Sequence, residues 1–209
     1  MMYRKIAVSL LICLGILMAG CGEAKVNNTT LSISSKGEVT QNIIEPFSAE
    51  DGSLDELKSM VLSEIAGFAG EGKEAISLKK IEQQEANVHL LMTYPSVESF
   101  SAFENGKVDS SDLATCFYGT VEQAFQDGLV GTVTLYEDGE QTKSFINTET
   151  LKTRGDSHVF IYDNALNNSL PITISLPHKI AYATEGIKVD GKNAYIEKEA
   201  GTLIMIVTK

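Results

Sequence analysis

From His158 to Thr208 the chain is almost continuously strand-like, and this stretch restricts the possible folds more than any other. Val159 to Tyr162, Ile172 to Leu176, Ile180 to Ala183 and Leu203 to Val207 are short runs rich in β-branched and aromatic residues, the composition that suits a pleated surface. Asp190-Gly191 separates Ile187-Lys188-Val189 from Ala194-Tyr195-Ile196, as in a two-residue hairpin turn that needs positive φ. Pro171 and Pro177 lack backbone donors, which predicts a sheet edge for the Ile172 segment. The same signals occur earlier: Asn87 to Tyr94, Gly131 to Tyr136 and Gln141 to Ile146 read as strands, the last two joined at Asp138-Gly139.

Helical periodicity is confined to the first part. Between Ser53 and Ala69, Leu54, Leu57, Val61, Ile65 and Phe68 share one face, Ser53 and Glu56 have capping-box spacing, and Gly70 can end the helix. A second helix is predicted from Ser111 to about Gln126, with Leu113, Phe117, Val121 and Ala124 inward and the acids Asp109 and Asp112 near its positive end. A short third one is predicted from Ser96, with Val97, Phe100 and Phe103 as its apolar edge. Strands and helices cluster without regular alternation. The expected class is therefore α+β, a mainly antiparallel sheet with two main helices and a β-rich C-terminal part. Residues 30–209 form a single domain on this reading, with possible subdomains 30–147 and 148–209 sharing one core.

The N-terminus carries a different kind of information. Met1-Met2-Tyr3-Arg4-Lys5, the apolar run Ile6 to Met18, and Ala19-Gly20-Cys21 follow the charged, apolar and small-residue order of an export signal. That apolar run is too short to cross a hydrocarbon core, which takes about 20 helical residues. Leu17-Met18-Ala19-Gly20-Cys21 resembles a lipobox, in which the cysteine thiol is acylated and the chain is cut just before it. Residues 1–20 are then a lipoprotein signal peptide, Cys21 the lipidation site, and 21–29 a short polar tether. Each buried methylene of the attached chains contributes about 0.8 kcal/mol to membrane affinity, so two or three chains hold a domain without further apolar surface.

Charge and cysteine usage fit this location. The formal net charge is −11, and loss of Arg4 and Lys5 with the signal takes it to −13. Such a surface is repelled by nucleic acid, and no basic run interleaved with aromatics offsets it. Cys13 leaves with the signal and Cys21 is acylated, so Cys116 stands alone and makes no internal disulfide. Among apolar neighbours it reads as a small buried hydrophobe.

Local catalytic signatures are missing. His89, His158 and His178 are far apart and match no zinc motif, and the chain has no G-x-S-x-G elbow, S-x-x-K, Walker A loop or dinucleotide fingerprint. Three acidic clusters, Asp109-Ser110-Ser111-Asp112, Glu137-Asp138-Gly139-Glu140 and Asp163-Asn164 with Asn167-Asn168, depart from the calcium-loop pattern. They read as a helix start, a hairpin turn and a polar loop. No catalytic residue, metal or cofactor is expected.

The lipobox, the hairpin-like start Thr30 to Phe47, the capped helix Ser53 to Ala69 and the closing β segment Ile180 to Lys209 together resemble uncharacterised lipoproteins of Gram-positive bacteria. That resemblance implies location and fold type only, and Cys21 is the single site residue it brings. Gly22 after the cysteine is not the aspartate that retains some lipoproteins at an inner membrane. The expectation is a lipid-anchored module on the extracytoplasmic face of the cell membrane, binding an envelope protein, peptide or wall component. An extracytoplasmic hydrolase with a dispersed active site and a small-ligand-binding lipoprotein are the alternatives.

Overall fold

The computed structural model describes residues 28–68, 75–106, 115–141, 143–163, 171–197 and 203–209. Cys21, the signal and most of the tether, Gly70, the Asp109 to Asp112 cluster and Asn164 to Asn168 lie outside them.

In chain order the elements are β1 (Thr29–Ile33), β2 (Val39–Pro46), α1 (Leu54–Phe68), β3 (Ser77–Gln84), β4 (Asn87–Tyr94), α2 (Val97–Asn105), β5 (Thr115–Thr120), α3 (Val121–Gln126), β6 (Thr134–Glu137), β7 (Phe145–Asn147), α4 (Thr148–Lys152), β8 (His158–Asp163), β9 (Ile172–Ser175), β10 (Ile180–Ala183), β11 (Lys188–Asp190), β12 (Asn193–Ile196) and β13 (Leu203–Thr208). The fold is α+β. One sheet has the order β11-β12-β9-β1-β2-β4-β3 and the other β5-β8-β13-β10-β6-β7. Every described ladder is antiparallel except β1 with β9. Each sheet takes strands from both sides of Asn147.

Burial patterns explain how the sheets stack. β4 alternates half-buried and buried along its length, so the first sheet turns one face inward. Leu31, Ile33, Val39, Ile43, Leu90, Met92 and Ile174 from that face share a core with Phe160, Ile180, Ala183, Ile204 and Ile206 of the second sheet. The second sheet is covered on its other face too: Val159, Ile161, Met205 and Val207 pack with Val121 and Ala124 of α3 and Leu151 of α4. Covering on both faces is why Leu203 to Val207 is an unbroken apolar run.

α1 forms as the sequence predicts. The Glu56 backbone N–H donates to Ser53 Oγ at 3.2 Å, and the Ser53 N–H donates to Glu56 Oε2 at 2.9 Å, so both members of the box are satisfied. α2 begins at Ser96, whose hydroxyl accepts from the Ser99 N–H, and it buries Val97, Phe100 and Phe103. Phe100 meets Tyr94 edge-on with ring centres 5.2 Å apart.

Four local expectations are corrected. The helix placed from Ser111 is a strand over Thr115–Thr120 followed by a short helix at Val121–Gln126. Cys116 and Tyr118 face the inter-sheet core while Phe117 faces α3 and α4, which is period two. Thr120 starts the helix through its own capping box with Gln123. The Ile172 segment is not at an edge: β9 lies between β12 and β1. Its prolines flank the strand, so no ladder donor is lost. The strands around Asp138-Gly139 are shorter, Tyr136 pairs with Phe145, and the connection is wider than two residues. Finally, Asp190 pairs with Asn193, so the tight turn is Gly191-Lys192, with Gly191 at φ 60°.

Candidate functional site

The structure brings together two of the three histidines. His158 opens β8, and His178 lies on the link that carries the chain from β9 in one sheet to β10 in the other. Their ring centres are 5.8 Å apart with planes inclined at 41°, and the Tyr118 ring lies 5.4 Å from His158 at 31°. Tyr118 and His158 are on adjacent antiparallel strands, where Thr120 is the direct partner of His158, so the two rings are diagonal neighbours on one face. The Tyr118 hydroxyl is buried with no hydrogen-bond partner, and burial raises its pKa above the usual phenol value.

Short backbone contacts fix this rim. Ile180 N–H donates to the Gly191 carbonyl at 2.8 Å, and Leu176 N–H to the Lys192 carbonyl at 2.9 Å. Lys209 N–H donates to the Lys179 carbonyl at 2.8 Å, and Thr208 Oγ1 to the His158 carbonyl at 3.3 Å. Lys192 Nζ reaches the Pro177 carbonyl at 2.6 Å, which places its ammonium at the rim. Lys80, Lys143, Lys152 and Lys188 each sit within 3.0 Å of a carboxylate, whereas Lys179 and Lys192, like Lys36, Lys58, Lys79 and Lys209, have no carboxylate partner among the described residues. Asp156 and Asp190 are the acids closest in sequence to the rim's own residues.

The rim sits at one end of the first sheet. β1 and β9 run parallel, from the Thr29–Ile172 pair to the Ser32–Ser175 pair, and the rim follows Ser175. Asn28, the first described residue, is at the opposite end, where it lines an open groove of about 480 Å³ with Pro171, Ile172, Lys188, Tyr195, Ile196 and Glu197. A second open groove of about 600 Å³ runs beside α3 and α4, with Phe125, Val133, Thr148 and Lys152 in its walls. Neither groove includes a histidine or a facing pair of carboxylates among the described residues.

The other sequence candidates are dispersed. His89 is on β4 with Glu82 as its cross-strand partner. Cys116 is a buried free thiol whose pKa burial drives strongly upward. It packs as a small hydrophobe, on a strand instead of the expected helix. Glu137-Asp138-Gly139-Glu140 closes on Lys143, which contacts Asp138 at 3.0 Å and Glu140 at 3.5 Å.

One group had not been singled out from the sequence. Glu45 points by strand alternation to the same inner face as Val39, Gln41 and Ile43, and its Oε1 is buried without a partner. Burial pushes its pKa up to about 7. Its ladder partner is Val88, and Gln83 stands next across β4, so no second ionisable group faces it in the ladder. The signal was present in Val39-Thr40-Gln41-Asn42-Ile43-Ile44-Glu45, where an acid takes an inward parity. No family model matches this chain, and no curated protein or solved structure matches it either.

Proposed function

We propose that this chain is a lipid-anchored, extracytoplasmic binding module that presents the His158, His178, Lys179 and Lys192 rim to a partner in the cell envelope. The observation that carries this reading is the placement of the tether end and the rim at opposite ends of the parallel pair β1 and β9. From Thr29 to Ile33 a strand advances about 13 Å, so the tether end and the rim are set apart by about that distance along β1. The tether between Cys21 and Asn28 extends at most about 25 Å, which keeps the groove beside Asn28 close to the lipid surface. The Lys192 ammonium, held on the Pro177 carbonyl with no carboxylate partner among the described residues, supplies attraction for a partner that the acidic body elsewhere repels.

Two measurements test it. Metabolic labelling with a fatty-acid analogue should mark the wild type and not Cys21→Ser; equal labelling of both would refute the anchor. A photo-crosslinker at Lys192 should capture a reproducible envelope partner that one at Glu197, at the tether end, does not. Equal capture at both positions would remove the rim from the proposal.

A further inference from the structure

We propose that His158 and His178 form an open binding site for a late first-row divalent ion, Zn²⁺ or Cu²⁺, that ties the two sheets together. Imidazole nitrogens bind such ions at about 2.1 Å, which puts each ring centre about 3.2 Å from the metal. Two rings on one ion then lie about 5.2 Å apart at a tetrahedral angle and about 6.4 Å apart when collinear. The observed 5.8 Å falls inside that window.

The surroundings favour this class of ion over hard cations. Calcium and magnesium require oxygen-rich shells, and the pair offers only imidazoles. Among the described residues no group of three or more histidine, cysteine or acidic side chains converges, so the remaining positions belong to water or to an exogenous ligand. His158 is held from behind: Tyr118 packs on its ring and Thr208 bonds its carbonyl. His178 is exposed on the link between the sheets, so a metal bridge would restrain that link. The Lys192 ammonium, on the Pro177 carbonyl next to His178 in the chain, opposes a cation and favours an anionic ligand on it.

The test is calorimetric titration of the metal-free, detergent-solubilised full chain with ZnCl₂ and CuCl₂. Saturable binding of one ion is expected, with at least tenfold weaker binding in His158→Ala and in His178→Ala and no change in His89→Ala. Zn²⁺ should also slow acylation of His178 by diethylpyrocarbonate in the wild type, a readout that needs no variant to fold. Absence of saturable binding, binding that persists in both alanine variants, or acylation unaffected by Zn²⁺ would overturn the proposal. Because anchoring at Cys21 plays no part in this titration, its failure would leave the envelope-binding reading standing.

Discussion

Replacing Glu45 by glutamine should make the protein's stability less sensitive to pH, and the size of the effect follows from its position. An ordinary glutamate titrates near 4.5, whereas burial of Glu45 on the inner face of β2 raises its value to about 7. The folded state therefore favours the protonated acid. The associated stability is fully present below about pH 4.5, and it is lost as the pH rises through about 7. A shift of that size corresponds to at most about 3.4 kcal/mol. Glu45 is only half-buried and water reaches part of the carboxylate, so about 1 to 2 kcal/mol is the expected cost of ionisation. Glutamine keeps the shape and cannot ionise. Urea unfolding of wild type and Glu45→Gln at pH 4.5 and pH 8.5 separates this effect from every carboxylate common to both. With a urea dependence of about 2 kcal/mol per molar, the variant's midpoint should gain about 0.5 to 1 M on the wild type between the two pH values. A difference between the proteins that stays constant across this range would refute the argument, because a mere change in packing has no reason to follow proton binding.

Two further outcomes follow from local geometry. A Cβ built on Gly139 falls 1.8 Å from the carbonyl oxygen of Ile187, and the residue has φ 74°, so Gly139→Ala must displace backbone. A loss of more than about 3 kcal/mol is expected in urea unfolding, and wild-type stability would refute the close approach. The Cys116 thiol should resist a charged disulfide reagent in the native protein and react within seconds once unfolded, since it is 9% exposed and burial disfavours its thiolate. Fast native reaction would show that the inter-sheet core opens readily at β5.

Much of the fold was legible wherever one face of an element determined its pattern. The Asn87 to Tyr94 alternation, the Ser53 capping box and the Val97, Phe100, Phe103 edge are local signals, and each corresponds to the observed element. The region from Ser111 misled because Phe117, Val121 and Ala124 have helical spacing while belonging to two different elements. Thr120 and Gln123 carried the true boundary in a T-x-x-Q pattern. The prolines beside β9 misled for a related reason: they limit the strand's length without deciding its neighbours. The rim was not legible at all. His158 and His178 meet because β9 and β10 belong to different sheets and their link passes the start of β8, a relation that exists only in three dimensions.

The parallel pairing of β1 with β9 has a kinetic consequence. Thr29 is among the first described residues to be synthesised, yet its partner Ile172 lies about 140 residues further on, so one side of β1 waits for most of the chain. Closing that span costs about 2 kcal/mol more chain entropy than closing a ten-residue turn. The β1–β2 and β3–β4 hairpins can form early. During that interval the open side of β1 exposes unpaired backbone groups to any extended segment nearby, and a factor that shields this edge would speed productive folding more than one that stabilises the finished protein.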